Sequence, residues 1–192
     1  MSAFLGPIHF WLYNKIGNQE KLTKEIADLA VQNGWIEDEA CFIKTLPPLE
    51  TVIDEGNIHG WLQAQITDAE TRYASLVTEI LSGDEKRLED LCAIAERSGK
   101  EHALTAETAE EVYKAFEDFF VNGMPCDRVN AVTESSAEKL SWEMTQDIHA
   151  QYWNGDSSPY YAIRRSVMEG MLAGTNYTLA SSDDAHYSII SE

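Results

Sequence analysis

Beginning at Leu49, apolar residues return at helical spacing as far as Ile80: Leu49, Val52, Ile53, His59, Leu62, Ile66, Tyr73, Val77 and Ile80. A stripe of that length has to be buried against further helices or a sheet, so it commits the chain to a layered, helix-rich architecture. Pro47-Pro48 leads into the run, and Gly56 and Gly60 interrupt it. The pattern therefore predicts either one helix over about 49–81 or a fresh start near 57.

The remaining punctuation reads as helical as well. Gly6-Pro7 opens a first helix, where the missing proline N–H costs least. Leu22, Ile26, Leu29 and Ala30 mark a second amphipathic stretch that ends at Asn33-Gly34. Ser82 and Glu85 have the spacing of a capping box ahead of Leu88, Leu91, Cys92 and Ala95. Thr105 is a cap candidate for a helix carrying Val112, Phe116, Phe119 and Phe120, which stops at Asn122-Gly123. Ser135 and Glu138 form another capping-box pattern, before Leu140, Trp142, Met144, Ile148 and Tyr152. Ser158-Pro159 starts a last helix that Gly174 ends.

Beyond Gly174 the period changes to two. Tyr177 and Leu179, then Tyr187 and Ile189, alternate with polar residues around Ser181-Ser182-Asp183-Asp184, a pattern that fits either a short hairpin or a frayed tail. With no Gly/Ser linker or break in composition, residues 1–192 read as a single all-α domain, a bundle of six to eight helices with a short C-terminal β-hairpin.

Charge narrows the partners. Fourteen basic residues against 33 acidic ones leave a net charge of −19, a field that repels phosphate backbones and anionic membranes. No apolar run approaches the roughly 18 residues of a membrane span, and the start MSAFLGPIHFWLY has neither a basic n-region nor an A-x-A cleavage pattern. Cys41, Cys92 and Cys126 are odd in number, far apart and never in a C-x-x-C pair. The expectation is a chain of the reducing cytoplasm, binding neither nucleic acid nor membrane.

The feature closest to chemistry is a repeat. GPIHFWLYNKI at 6–16 and GNIHGWLQAQI at 56–66 share Gly, Ile, His, Trp, Leu and a final Ile. Each histidine falls in the first turn of a helix, where the dipole favours the neutral ring that ligates a metal or accepts a hydrogen bond. His9 aligns with Leu5, Leu12 and Ile16, and His59 with Ile66, Tyr73 and Val77, so both face inward. If the two starts are equivalent, the rings meet near one axis. In LSWEMTQDIHAQYW, His149 shares a face with Trp142 and Trp153.

These observations predict a metal-binding bundle with a histidine-centred, aromatic-walled interior. His9, His59 and His149 are the expected ligands, with Cys126 (in GMPCD, at a helix start) or Glu55 (four residues before His59) completing the sphere of zinc or non-haem iron. An open coordination position would make a bound water nucleophilic, as in a metal-dependent hydrolase or lyase. Trp11, Trp61 and Trp142 would line the pocket, and Arg164, on the border of an apolar stripe, would clamp an anionic ligand. Named signatures such as H-E-x-x-H, paired E-x-x-H, the P-loop and G-x-G-x-x-G do not occur. The competing expectations are a non-enzymatic module for an apolar, anionic or tetrapyrrole small molecule, and a structural or regulatory homodimer with every histidine in its core.

Overall fold

Helix α1 spans Pro7–Gln32 in the computed structural model, which describes residues 5–192; the first four residues of the stretch searched for a leader lie outside them. The two amphipathic stretches of the first thirty-odd positions are one helix, because no proline or cap interrupts them before Gly34, whose φ of +66° ends the run. Helix α2, Ile58–Gly83, starts afresh after a short 3₁₀ turn at Leu49–Thr51. The Asn57 side chain accepts a hydrogen bond from the Gly60 N–H at 3.2 Å, and this cap settles where the long periodic run becomes helical. Helix α3 covers Arg87–Lys100 and α4 Ala109–Phe119; the cap of α4 is Thr108, accepting from the Glu111 N–H at 3.2 Å, not Thr105. Helix α5 is Ser158–Met171.

The all-α expectation is overturned. Four strands, β1 (Asn130–Ser135), β2 (Lys139–Met144), β3 (Tyr177–Ser181) and β4 (His186–Ser191), form an antiparallel sheet in the order β1-β2-β4-β3, so the class is α+β. The expected C-terminal hairpin exists as β3–β4, but it is half of a larger sheet. The stretch read as a capped helix from Ser135 is the β1–β2 hairpin, whose turn is closed by Lys139 N–H donating to Ser136 Oγ at 3.0 Å. Leu140, Trp142 and Met144 are buried, while Lys139, Ser141 and Glu143 between them are half-exposed. That alternation of two is the strand period, and pairing on both edges (β1 and β4) gives β2 its burial. Trp142 stacks on its cross-strand partner Tyr187 with centroids 5.2 Å apart.

Two apolar clusters hold the helices. Leu12 and Ile16 of α1 meet Leu62 and Ile66 of α2 in the smaller one. The larger joins Ile26, Leu76, Ile80, Leu91, Phe116, Ile163 and Met168 to the inner sheet face through Ile189. Each such fully buried side chain contributes roughly 1.5–3 kcal/mol relative to exposure. Helices α3 and α5 approach backbone to backbone, since a Cβ on Gly99 would overlap the Val167 carbonyl and one on Gly170 the Glu96 carbonyl. Among the described residues no helix is long and apolar enough to cross a membrane.

Candidate functional site: a pocket with two unpaired cations

The starts of α1 and α2 do lie together. The His9 and His59 rings are 5.8 Å apart at 52°, so the repeated motif brings its two histidines to one place. The His9 ring, however, is committed to capping its own helix. His9 Nδ1 accepts from the Gly6 N–H at 2.9 Å, so the neutral ring carries its proton on Nε2, a buried atom with no partner among the described residues. No lone pair is left there for a metal. His59 is exposed, and Asn57 caps its helix instead.

The other expected ligands lie elsewhere. His149 contacts Glu70, which is eleven residues beyond His59 on α2, or roughly 16 Å further along the helix. Glu55 is exposed in the turn before α2. Cys126 is exposed in a 3₁₀ turn, Pro125–Asp127, with Sγ 3.9 Å from Asp127 Oδ1. Among the described residues no three His, Cys, Asp or Glu side chains gather where they could hold a metal ion, which corrects the expected metal-binding centre. The tryptophans are divided: Trp11 and Trp61 both edge the smaller apolar cluster, and Trp142 belongs to the larger one. Trp61 packs on Tyr13, Trp142 lies in the sheet, and Trp11 donates to Asp118 Oδ1 at 2.8 Å.

Arg164 leads to a different site. In so acidic a chain most cations find a carboxylate. Arg72 binds Glu20 and Asp68, and Lys21, Lys24, Lys44, Lys100, Lys114, Lys139 and Arg165 all form ion pairs. The two buried Lys/Arg side chains, Lys15 at 2% exposure and Arg164 at 5%, form none among the described residues. Buried cations without a counter-charge are rare because desolvation is unrelieved.

Both line one pocket of about 30 Å³, walled by Leu22, Tyr73, Phe119 and Tyr160. Each is held in place. Arg164 Nη1 donates to Asn122 Oδ1 at 2.7 Å and to the Tyr160 hydroxyl at 3.1 Å, and the guanidinium lies 4.5 Å over the Phe120 ring. Its Nε is buried without a partner among the described residues. The nearest carboxylate in this network is relayed: Asn122 donates to Glu117 Oε1 at 3.2 Å. Lys15 Nζ sits 3.9 Å over the Trp11 ring. Burial pulls the Lys15 ammonium down from 10.5 to about 8, with Glu117 and Asp118 opposing and the Arg164 charge adding to the fall. Two positive charges in an apolar enclosure are what an anion's negative end requires.

The local folding explains the arrangement. Asn18 on α1 donates to the Phe119 carbonyl at 3.1 Å, tying α1 to the point where α4 stops. Chain reversal at Gly123, with φ of +68°, then leaves Phe120 to Asn122 beside α5. Tyr160 and Arg164 are one turn apart on α5 and share a face.

On the other side of Tyr160 lies a second polar pair. The His149 ring stacks on Tyr160 with centroids 3.9 Å apart, and its Nδ1 is 3.2 Å from Glu70 Oε2. Asp147 fixes the His149 segment by accepting from the His149 and Ala150 N–H groups and from the Ser157 and Tyr161 hydroxyls. Those bonds hold the Asp147 carboxyl below its usual value, against its partial burial.

Of the sequence candidates, the structure brings His9 to His59 and places Arg164 in a pocket; His149, Cys126, Glu55 and Trp142 are not brought to that histidine pair. Lys15, Asn122 and Tyr160 carry the observed pocket without having been singled out, and Glu70, aligned with His59 but about three turns away and too far to share an ion with it, is instead the partner of His149. Lys15 had a signal: it lies three residues after Leu12 and seven before Leu22, on the buried stripe. Glu70 had the same kind, four after Ile66 and three before Tyr73. Comparison with family models, with curated proteins and with solved structures gave no match to this chain.

Proposed function

We propose that the protein is a small-molecule binding module whose ligand is a compact organic anion, a carboxylate with a short apolar body. The observation that carries this reading is the pair of buried cations, Lys15 and Arg164, which form no ion pair among the described residues and line one aromatic-walled pocket. Arg164 supplies a fork of donors and Lys15 a point charge. Phe119, Tyr73 and Leu22 receive the apolar part. A pocket of about 30 Å³ admits a carboxylate group and little more, far below the several hundred Å³ of a drug-sized cleft. The −19 surface repels anions at a distance, so selectivity rests on these two buried charges.

Calorimetric titration with formate, acetate and propionate tests the proposal. The expected result is one saturable site for at least one of these acids, weakened roughly tenfold or more in Arg164→Met, as loss of a charge-assisted hydrogen bond implies. Absence of saturable binding by every member of the series, or undiminished affinity in the folded variant, would refute it.

A further inference from the structure

One nitrogen of the anion pocket is suited to more than holding charge. Lys15 lies in the middle of α1 and lines the pocket beside Arg164, and among the described residues that line it there is no carboxylate. Its Nζ lies over the face of Trp11 instead. Burial, helped by the Arg164 charge, brings this ammonium down to about 8, so at mildly basic pH a large share of Lys15 is the free amine. Exposed lysines go the other way: hydrogen bonds to Glu101 and Asp28 raise Lys21 and Lys24.

A free amine is a nucleophile, and its surroundings decide which electrophile suits it. Arg164 attracts a carboxylate into the pocket. The cavity of about 30 Å³ allows that carboxylate only a very short body, and a space so small puts both cations within reach of one ligand. The walls of Leu22, Tyr73, Phe119 and Tyr160 keep bulk water away, which favours a step that expels water. A carbonyl carbon directly attached to the carboxylate, as in an α-oxo acid, meets all of these conditions.

We propose that Lys15 is a covalent site for small α-oxo acids, held as a Schiff base while Arg164 receives the carboxylate. The proposal rests on the anion-binding reading of this pocket and narrows its ligand class. The amine lone pair bonds to the carbonyl carbon as the C=O π pair moves to oxygen; nitrogen gives up one proton and oxygen gains one, forming a carbinolamine. The nitrogen lone pair then forms the second C–N bond as the hydroxyl departs, the remaining N–H proton leaving with it as water. One imine and one water result, and nothing is oxidised or reduced. A plain carboxylate meets the same lysine as its ammonium.

Glyoxylate, the smallest acid of the class, is the probe. Cyanoborohydride added to the full chain reduces any imine to a stable secondary amine, and peptide mapping by mass spectrometry locates the carboxymethyl group. Lys15 is expected to react ahead of exposed Lys24 and Lys114, with excess acetate suppressing the reaction and Arg164→Met slowing it roughly tenfold or more. Acetaldehyde, which lacks the carboxylate, should show no preference for Lys15. Modification of Lys15 no faster than of the exposed lysines overturns the proposal, as does an equal preference for Lys15 with acetaldehyde. Saturable acetate binding beside an unreactive Lys15 removes this proposal and leaves the anion reading standing; absence of binding by every acid removes both. Should Arg164→Met fail to fold, acetate competition and the acetaldehyde comparison on the unaltered chain decide.

Discussion

Lys15→Met replaces a buried ammonium by an apolar side chain of similar length, and it should make the empty protein more stable. The fall of the Lys15 value from 10.5 to about 8 corresponds to roughly 3 kcal/mol of disfavour for the charged form. The ammonium over Trp11 returns roughly 1–2 kcal/mol of that, which methionine forgoes. A net stabilisation on the order of 1–2 kcal/mol at neutral pH remains, or roughly 4 °C in the unfolding midpoint for a chain of this size. The pH dependence carries the sign. The folded value lies below the unfolded one, so between pH 8 and 10.5 the unfolded chain holds more protons and wild-type stability rises with pH. Above about pH 10 the buried tyrosines oppose this: burial raises Tyr73 and Tyr160 above their ordinary value of 10.0, so their contribution is lost as pH climbs. Thermal unfolding followed by circular dichroism at pH 7 and at about pH 9.5 should therefore show the variant ahead at the lower pH and the gap narrowed at the higher. A variant destabilised by more than about 1 kcal/mol at pH 7, or a gap that does not narrow, would refute the description of Lys15 as an uncompensated buried charge.

Further expectations concern other parts of the molecule. Gly170→Ala forces α5 away from the Glu96 carbonyl and should destabilise by roughly 3 kcal/mol or more, measured by urea unfolding; a neutral outcome would contradict the close α3–α5 approach. His9→Ala removes the acceptor of the Gly6 N–H and should lower stability by about 1 kcal/mol. Elemental analysis of that variant should match the wild type, whereas loss of a stoichiometric metal would restore the ligand reading of the repeat. Asp147→Asn retains the shape but weakens four hydrogen bonds, and should loosen the His149 segment, visible as faster amide exchange at His149 and Ala150.

Much of the helical half was legible because its signals are local. Stripes, prolines and glycines marked α2, α3, α4 and α5 and the two halves of α1, and the period of two over Tyr177–Ile189 fitted β3 and β4. The β1–β2 hairpin was hidden by ambiguity: Leu140, Met144 and Ile148 keep helical spacing while Leu140, Trp142 and Met144 keep the strand period. What selects the strand is pairing with β4, almost fifty residues away, which local pattern does not contain. Arg164 was flagged by its place on an apolar stripe, and the same logic applied to Lys15 and Glu70 would have marked both. That His149 meets Glu70 rather than His9 follows from the β2–α5 connection, a tertiary fact.

Proton linkage tests the anion pocket most directly. At pH 8 the empty protein holds Lys15 about half protonated, and a bound carboxylate should draw it to full charge. Titrating the best-bound acid in two buffers of different ionisation enthalpy should thus reveal uptake of roughly half a proton per ligand, absent in Lys15→Met. Saturable binding without proton uptake would contradict a ligand seated between Lys15 and Arg164.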